Sequence, residues 1–227
     1  MTGVASITAG EGFRLWAAEY DDTPNALLAL EARLLRARMN VGPGMRILDA
    51  GCGTGRWMTW AQAQGAHVFG VDSCREMLVQ AEHKPGLRGR SVLADINAIP
   101  IGDGAVDCAM CSLTIGYVAS PAIAFREMAR VSRRVIVSDL HPDAVRAGWT
   151  RSFRCGDRRI EVQHFDHSIA SLDRHAQAAG LEREWRTEAS FGEPEREIFA
   201  RAGKEKAFEE SRRIRVVSIT SWRKSSD

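Results

Sequence analysis

One acid and three glycines stand close together in the first quarter of the chain: Asp49, then Gly51, Gly53 and Gly55, behind the apolar pair Ile47 and Leu48. Glycine has no Cβ, so it permits a sharp turn and lets a ligand lie directly against the backbone. A helical pattern starts near Thr54, and a helix beginning there turns its free N–H groups and the positive end of its dipole toward that ligand. Apolar strand, glycine turn and helix are the layout of a nucleotide-like cofactor site at the carboxyl end of a parallel strand. The dinucleotide fingerprint G-x-G-x-x-G fails here, because counting from Gly51 the third position is Arg56. A P-loop is excluded, since no G-K-[ST] follows the glycines. Asp49 would repel a pyrophosphate and suits a ligand that carries a cation. S-adenosylmethionine, with an ammonium and a sulfonium, has that character.

Two further apolar runs end in acids. Val68-Phe69-Gly70-Val71 leads to Asp72, and Leu93-Ala94 leads to Asp95 and Ile96. With these in view, the segment Ile47–Gly55 resembles the first motif of class I S-adenosylmethionine-dependent methyltransferases, and the other two resemble the second and third. The resemblance covers residues 10 to 140 well and the remainder only as fold. It implies that Asp49, Gly51 and Gly53 hold the methionine part of the cofactor, Asp72 the ribose hydroxyls, and Asp95 with Ile96 the adenine. Ser73 follows the second acid as a helix N-cap candidate. Met77, just inside that helix, is an apolar residue for the adenine face or for the core. The stretch Trp16-Ala17-Ala18-Glu19-Tyr20 resembles the N-terminal helix of small-molecule methyltransferases, including the quinone-precursor group, in which the tyrosine closes over the methionine end. Trp16 and Tyr20 are also spaced as an ordinary core pair one turn apart. Ser112, at the carboxyl end of the fourth strand, either touches a ligand or caps the turn.

Candidate proton acceptors lie later in the chain. Ser138-Asp139-Leu140-His141-Pro142 brings an acid and an imidazole to the rim of the site, and a histidine titrates near neutral pH. His141 is therefore the first candidate base and His167 the second, against the alternative that each only caps a loop or bonds backbone. His164 and His167 are three apart and diverge on a strand, so no metal site is expected. Cys108 and Cys111 on the fourth strand face opposite ways for the same reason and read as core thiols.

The elements that must position these residues follow from periodicity and breakers. Residues 1–10 read as loosely ordered, and a helical pattern over Gly12–Met39 is interrupted at Pro24. Strands are expected at about 45–50, 67–71, 90–94, 105–111 and 133–139, with helices at 54–64, 74–83 and 120–130 between them. A hairpin turning at Cys155-Gly156-Asp157 reads as a substrate cover, followed by a helix over 169–179 capped by Ser168. Two strands close the chain, Leu181–Ala189 and Ile214–Trp222, around a helical insert over Glu193–Arg213. That insert is dense in both charge signs and reads as a solvated face, a lid or a dimer contact. The expected fold is α/β, a Rossmann-like seven-stranded mostly parallel sheet with helices on both faces. The order 3-2-1-4-5-7-6 comes from the resemblance. One domain is expected, with a helical cap over 1–44, a cofactor-binding core over 45–140 and a substrate side over 141–227.

Composition narrows the partners. The chain has 227 residues, 44% hydrophobic and 26% charged, enough for one α/β domain with a full core. A formal charge of +2 gives no electrostatic reason to expect nucleic acid or an acidic membrane. No apolar run reaches the roughly 18 residues of a membrane span, and the start Met1–Ser6 lacks the basic and apolar regions of a signal peptide. Five cysteines without framework spacing suggest free thiols in the cytoplasm. The expected activity is methyl transfer from S-adenosylmethionine to a small molecule, with the acceptor atom (O, N, C or S) open and a homodimer as one use of the insert. The alternative is a non-catalytic S-adenosylmethionine-binding regulatory module, since binding and catalysis share these acids.

Overall fold

The computed structural model describes residues 5–225. The chain opens with a short strand β1 (Ala5–Ile7) and two helices, α1 (Ala9–Trp16) and α2 (Ala26–Arg38), joined by a 3-10 turn. An alternating core follows: β2 (Arg46–Ala50), α3 (Arg56–Ala63), β3 (His67–Asp72), α4 (Arg75–Glu82), β4 (Ser91–Leu93), β5 (Cys108–Ser112), α5 (Pro121–Val131) and β6 (Arg134–Leu140). Beyond it come α6 (Pro142–Arg146), the hairpin β7 (Ser152–Cys155) and β8 (Arg158–Val162), and α7 (Ile169–Ala178). The last elements are β9 (Leu181–Ala189), α8 (Glu193–Arg201), α9 (Glu205–Ser211) and β10 (Val217–Lys224).

Seven strands form one sheet in the order β4-β3-β2-β5-β6-β10-β9. The pairs from β4 through β6 are parallel, and β10 runs antiparallel to both β6 and β9. This is the expected 3-2-1-4-5-7-6 arrangement. Alternation along the strands divides the core in two. Ile47, Cys108, Met110 and Ile136 pack on one face, while Leu48, Ala109, Cys111, Val135 and Val137 pack on the other. Cys108 and Cys111 thus lie on opposite sides of the sheet, buried and free. Register places Asp49 beside Gly70 of β3 and Met110 of β5, and Asp72 beside Leu93 of β4.

Some expectations about elements are corrected. Of the stretch 1–10, read as loosely ordered, residues 1–4 lie outside the described part. Ala5–Ile7 is a strand paired parallel to β8 in a second, three-stranded sheet with β7, a long-range partnership that three residues cannot announce. Thr8 then caps α1 in a capping box with Glu11. Ser73 is not the cap of α4, which begins one residue later behind Cys74; Asp72 Oδ1 accepts the Cys74 N–H at 2.8 Å instead. The helical insert consists of two helices, α8 and α9, and β5 and β10 each start three residues later than periodicity suggests.

Candidate active site

The crease is built by the chain turning between β2 and α3. Gly51 has φ +81°, and a Cβ there would stand 2.3 Å from the Thr114 side chain, whose Oγ1 donates to the Gly51 carbonyl at 3.2 Å. Gly53 has φ +53° and open space where a Cβ would point. Its N–H donates to Asp72 Oδ2 at 2.8 Å, so the second acid braces the turn of the first. Both carboxyl oxygens of Asp72 therefore accept backbone N–H groups, while burial pushes its pKa up. Asp49 is 3% exposed, and its Oδ1 has no hydrogen-bond partner among the described residues. Burial, with like charge from Asp72 and Glu31 and partly offset by Arg56, pushes its carboxyl up to about 7. Asp95 spends Oδ1 on the Asn97 N–H in its own turn, and Ile96 beside it is buried.

Helix α2 reaches this region with a residue that sequence reasoning missed. Glu31 is fully buried and accepts hydrogen bonds from Ser112 Oγ (2.7 Å), Ser138 Oγ (2.7 Å) and the Arg56 guanidinium (2.9 Å). Ser112 Oγ also accepts from Trp57 Nε1 (2.9 Å) and Arg56 (3.1 Å). The hydroxyl of Ser112 is thus committed to a protein network, although the residue lines the cavity described below. A signal was present in the sequence: Glu31 sits inside the apolar stripe of Leu27, Leu30, Leu34 and Leu35, where an acid requires a buried partner.

On the far side, Arg151 forms a shielded ion pair with Asp139 of β6 and lies over the Tyr117 ring, 4.8 Å from its centroid. Its NH1 donates to the Leu113 carbonyl at 3.1 Å. Leu113 has φ 53°, a conformation costing about 1–2 kcal/mol outside glycine. It is held there by this bond and by its N–H donating to the carbonyl and hydroxyl of Ser138.

Neither candidate base reaches the cavity. His141 is 2% exposed and caps α6: its Nδ1 accepts the Asp143 N–H at 2.9 Å, so Nε2 carries the proton toward Glu188 at 3.2 Å. Both ring nitrogens are occupied, and burial lowers its pKa. His167 donates Nε2–H to the Val118 carbonyl at 2.8 Å, because a carbonyl only accepts. In this structure His141 serves as a cap, and His167 holds a backbone carbonyl.

The named cofactor residues do converge. Trp16, Tyr20, Asp49, Gly51, Gly53, Asp72, Ser73, Met77, Asp95, Ile96 and Ser112 all line one cavity of about 1390 Å³. Trp16 stacks on Phe153 (4.8 Å, 4°) and meets Tyr20 edge-on, so these rings pack with each other while facing the cavity. The volume exceeds the roughly 300–1,000 Å³ of a site for one small molecule, which leaves room for two. Trp149, Phe191, Ile198 and Phe199 give the remote half an apolar wall. Among the described residues no three of His, Cys, Asp and Glu gather as a metal site, and no helix is long and apolar enough to cross a membrane.

Comparison with known proteins agrees with this geometry. Residues 48–135 match the family model described as a methyltransferase domain. The malonyl-[acyl-carrier protein] O-methyltransferase of Erwinia billingiae is 32% identical over 112 residues, covering 45% of this chain and 41% of the relative. The chain spans about a third to two fifths of the length of the curated relatives it matches first. Among solved structures, an S-adenosylmethionine-dependent methyltransferase from Mesorhizobium loti superposes with TM-score 0.67 at 24% identity, covering 88% of this chain and all of that one. Geranyl diphosphate C-methyltransferase from Streptomyces coelicolor, in complex with S-adenosyl-L-homocysteine, superposes with TM-score 0.66 at 20% identity, covering 87% of this chain and 77% of that one. The fold is that of class I methyltransferases.

Proposed function

We propose that this chain, which carries a methyltransferase domain on the class I methyltransferase fold, moves a methyl group from S-adenosylmethionine to a small-molecule acceptor. The observation that carries the reading is the buried carboxyl of Asp49 at the glycine crease, whose Oδ1 has no partner among the described residues and which lines one cavity with Asp72 and Asp95. A buried carboxyl pushed up to about 7 is a place prepared for a cation that the protein itself does not supply. The residues fit the cofactor: Asp49 with Gly51 and Gly53 for the methionine ammonium and carboxylate end, Asp72 and Ser73 for the ribose, Asp95, Ile96 and Met77 for the adenine. Trp16 and Tyr20 would close over it.

Bound S-adenosylmethionine supplies an activated methyl on a sulfonium. The chain's contribution is alignment and exclusion of water, and in-line displacement needs little more when the acceptor is already a nucleophile. Three segments divide that work: 1–44 as cap, 45–140 as cofactor core and 141–227 as acceptor side. Small-molecule acceptors are supported by the malonyl and geranyl diphosphate enzymes among the similar proteins. Five free thiols support a reducing compartment such as the cytoplasm.

The test is transfer of labelled methyl from S-adenosylmethionine into a small-molecule extract of the source cells, with calorimetric binding of the cofactor to wild type and Asp72→Ala. Binding that the substitution removes, together with a labelled product, is the expected result. Binding without label in any fraction would turn the assignment to a non-catalytic module, and no binding at all would overturn both readings.

A further inference from the structure

The rim at the end of β5 is held more tightly than a connecting turn requires. Leu113 keeps φ 53° there, with its N–H on the carbonyl and hydroxyl of Ser138 and its carbonyl taken by Arg151 NH1. Thr114 joins the rim to the crease through the Gly51 carbonyl at 3.2 Å. A 3-10 turn over Ile115–Tyr117 follows. A Cβ on Gly116 would overlap the Arg151 guanidinium and stand 3.1 Å from Asp139 Oδ2, so only glycine lets this turn lie on the buried ion pair. From the other side the Phe165 N–H donates to the Gly116 carbonyl at 2.7 Å, and His167 donates to that of Val118 at 2.8 Å. Backbone strain persists where its surroundings over-determine it, and such places cluster at working sites.

What the rim presents is Tyr117. The chain has two tyrosines, and both line the cavity. The Tyr117 ring meets Phe13 of α1 edge-on at 4.9 Å and carries the Arg151 guanidinium over its face at 4.8 Å. Tyr20 lies close enough for the charges of the two phenols to act on each other. Burial pushes the Tyr117 hydroxyl up, against the charge and hydrogen bonding of Arg151, so the phenol keeps its proton at neutral pH. A guanidinium only donates, so its bond uses the phenol oxygen and leaves the O–H to point elsewhere. Rival groups on the acceptor half are committed or face water. Thr150 and Ser152 accept from Arg159, Ser211 donates to the Ala207 carbonyl, and Lys204 and Glu210 are exposed. Both arginines bonded at the end of β5 are answered by carboxylates, Arg56 by Glu31 and Arg151 by Asp139. The rim therefore offers an O–H donor without a net charge.

We propose that Tyr117 is the residue that holds the acceptor: its O–H donates to an uncharged oxygen, a hydroxyl or a carbonyl, of a molecule whose apolar body lies along Trp149, Phe191 and Phe199. This rests on the methyltransferase reading above. Arg151 is a positioning residue that acts through Tyr117, since its side chain is only 9% exposed and its donors are spent on Asp139 and the Leu113 carbonyl. Holding an oxygen at the strand end fixes the distance and angle at which the acceptor meets the methyl, and alignment of that kind is what the displacement asks of the protein. A site built around a hydrogen-bond donor also rejects analogues that lack the oxygen, because the donor is then left unpaired.

The experiment reads cofactor and acceptor separately. S-adenosylhomocysteine is titrated calorimetrically into the full chain as wild type, Tyr117→Phe, Arg151→Lys and Arg151→Met. Labelled methyl transfer into the small-molecule extract is then followed across a dilution series of that extract, which separates relative KM from relative kcat. Tyr117→Phe should leave S-adenosylhomocysteine affinity and Tm unchanged and raise KM about tenfold, the loss of one hydrogen bond whose partner stays behind. Arg151→Met should raise KM similarly, and Arg151→Lys should recover part of the loss. Tyr117→Phe and Arg151→Met together should cost no more than either alone, as for residues that act as a unit. Where Arg151→Met fails to fold, fluorine NMR of the chain labelled with fluorotyrosine takes its place: Tyr20→Phe assigns the two resonances, and Arg151→Lys should move that of Tyr117. An unchanged KM in Tyr117→Phe overturns the proposal while the methyltransferase reading stands. So does a loss of S-adenosylhomocysteine affinity, which would put the tyrosine on the cofactor. Additive losses, or an unmoved Tyr117 resonance, overturn the part given to Arg151. Wild type that yields no label in any fraction brings down the methyltransferase reading itself.

Discussion

Asp49 is a carboxyl buried in the crease, and that placement has a sign that can be measured. Its folded pKa lies above its unfolded value, so between about 4 and 7 the native state binds a proton that the unfolded chain has lost. Its contribution to stability therefore falls as pH rises through that window and is a cost above it. Asp49→Asn should raise the stability of the cofactor-free protein at pH 8 by a few kcal/mol at most, at about 1.4 kcal/mol per pKa unit, as read by denaturant unfolding. The same substitution should weaken S-adenosylmethionine binding. For the wild type, affinity should fall as pH is lowered through about 7, because the carboxylate that answers the ammonium becomes protonated. His141 gives the opposite kind of prediction. Loss of a general base costs roughly 10²–10⁴ in rate, whereas His141→Asn, which keeps an N-capping side chain at α6, should leave turnover close to wild type in a single-turnover assay.

At the scale of elements, one side chain fastens four of them. Glu31 of α2 accepts from Ser112 of β5, Ser138 of β6 and Arg56 of α3. Removing one partner of a buried pair leaves the other charge unanswered, which typically costs about 3–5 kcal/mol. Glu31→Ala should lose stability on that order in chemical denaturation, and it should also loosen Trp57 and Arg56 beside the crease. A change in tryptophan fluorescence before global unfolding would report that loosening. An unchanged midpoint would mean that the network contributes little to holding α2 on the sheet.

The whole molecule is a sheet with its working edge at the carboxyl ends of β2, β3, β4, β5 and β6, where α1, α2, the β7–β8 hairpin, α8 and α9 also line the cavity. Ligand that binds only the folded form stabilises it by about 2.7 kcal/mol at a hundredfold excess over Kd. For a chain of this size each kcal/mol moves Tm by roughly 2–4 °C. Saturating S-adenosylmethionine should therefore raise Tm by several degrees in calorimetry, and Asp72→Ala should abolish the rise.

How much of this was open to a reader of the sequence depends on the range of the interaction. The crease is local: an apolar run, an acid and glycines within ten residues dictate strand, turn and helix start. Asp49, Asp72 and Asp95 recur at the ends of successive βα units for the same reason. The sheet order came with the family resemblance rather than from the pattern and matches the structure, and Ser168 was readable as a cap from its neighbours alone. What was not legible mostly involves partners far away in the chain. β1 exists because β8, more than 150 residues later, offers it an edge. Glu31 is tolerated in an apolar stripe because hydroxyls and a guanidinium from three other elements meet it. His141 looked like a base because its position at the end of β6 is a rim position, but α6 and β9 enclose it and take both nitrogens. Sequence by itself determined the scaffold and the cofactor crease, where short-range pattern and backbone geometry suffice. The tertiary structure decided the acceptor half, because charge pairing and burial there are set by segments that meet only in the folded chain.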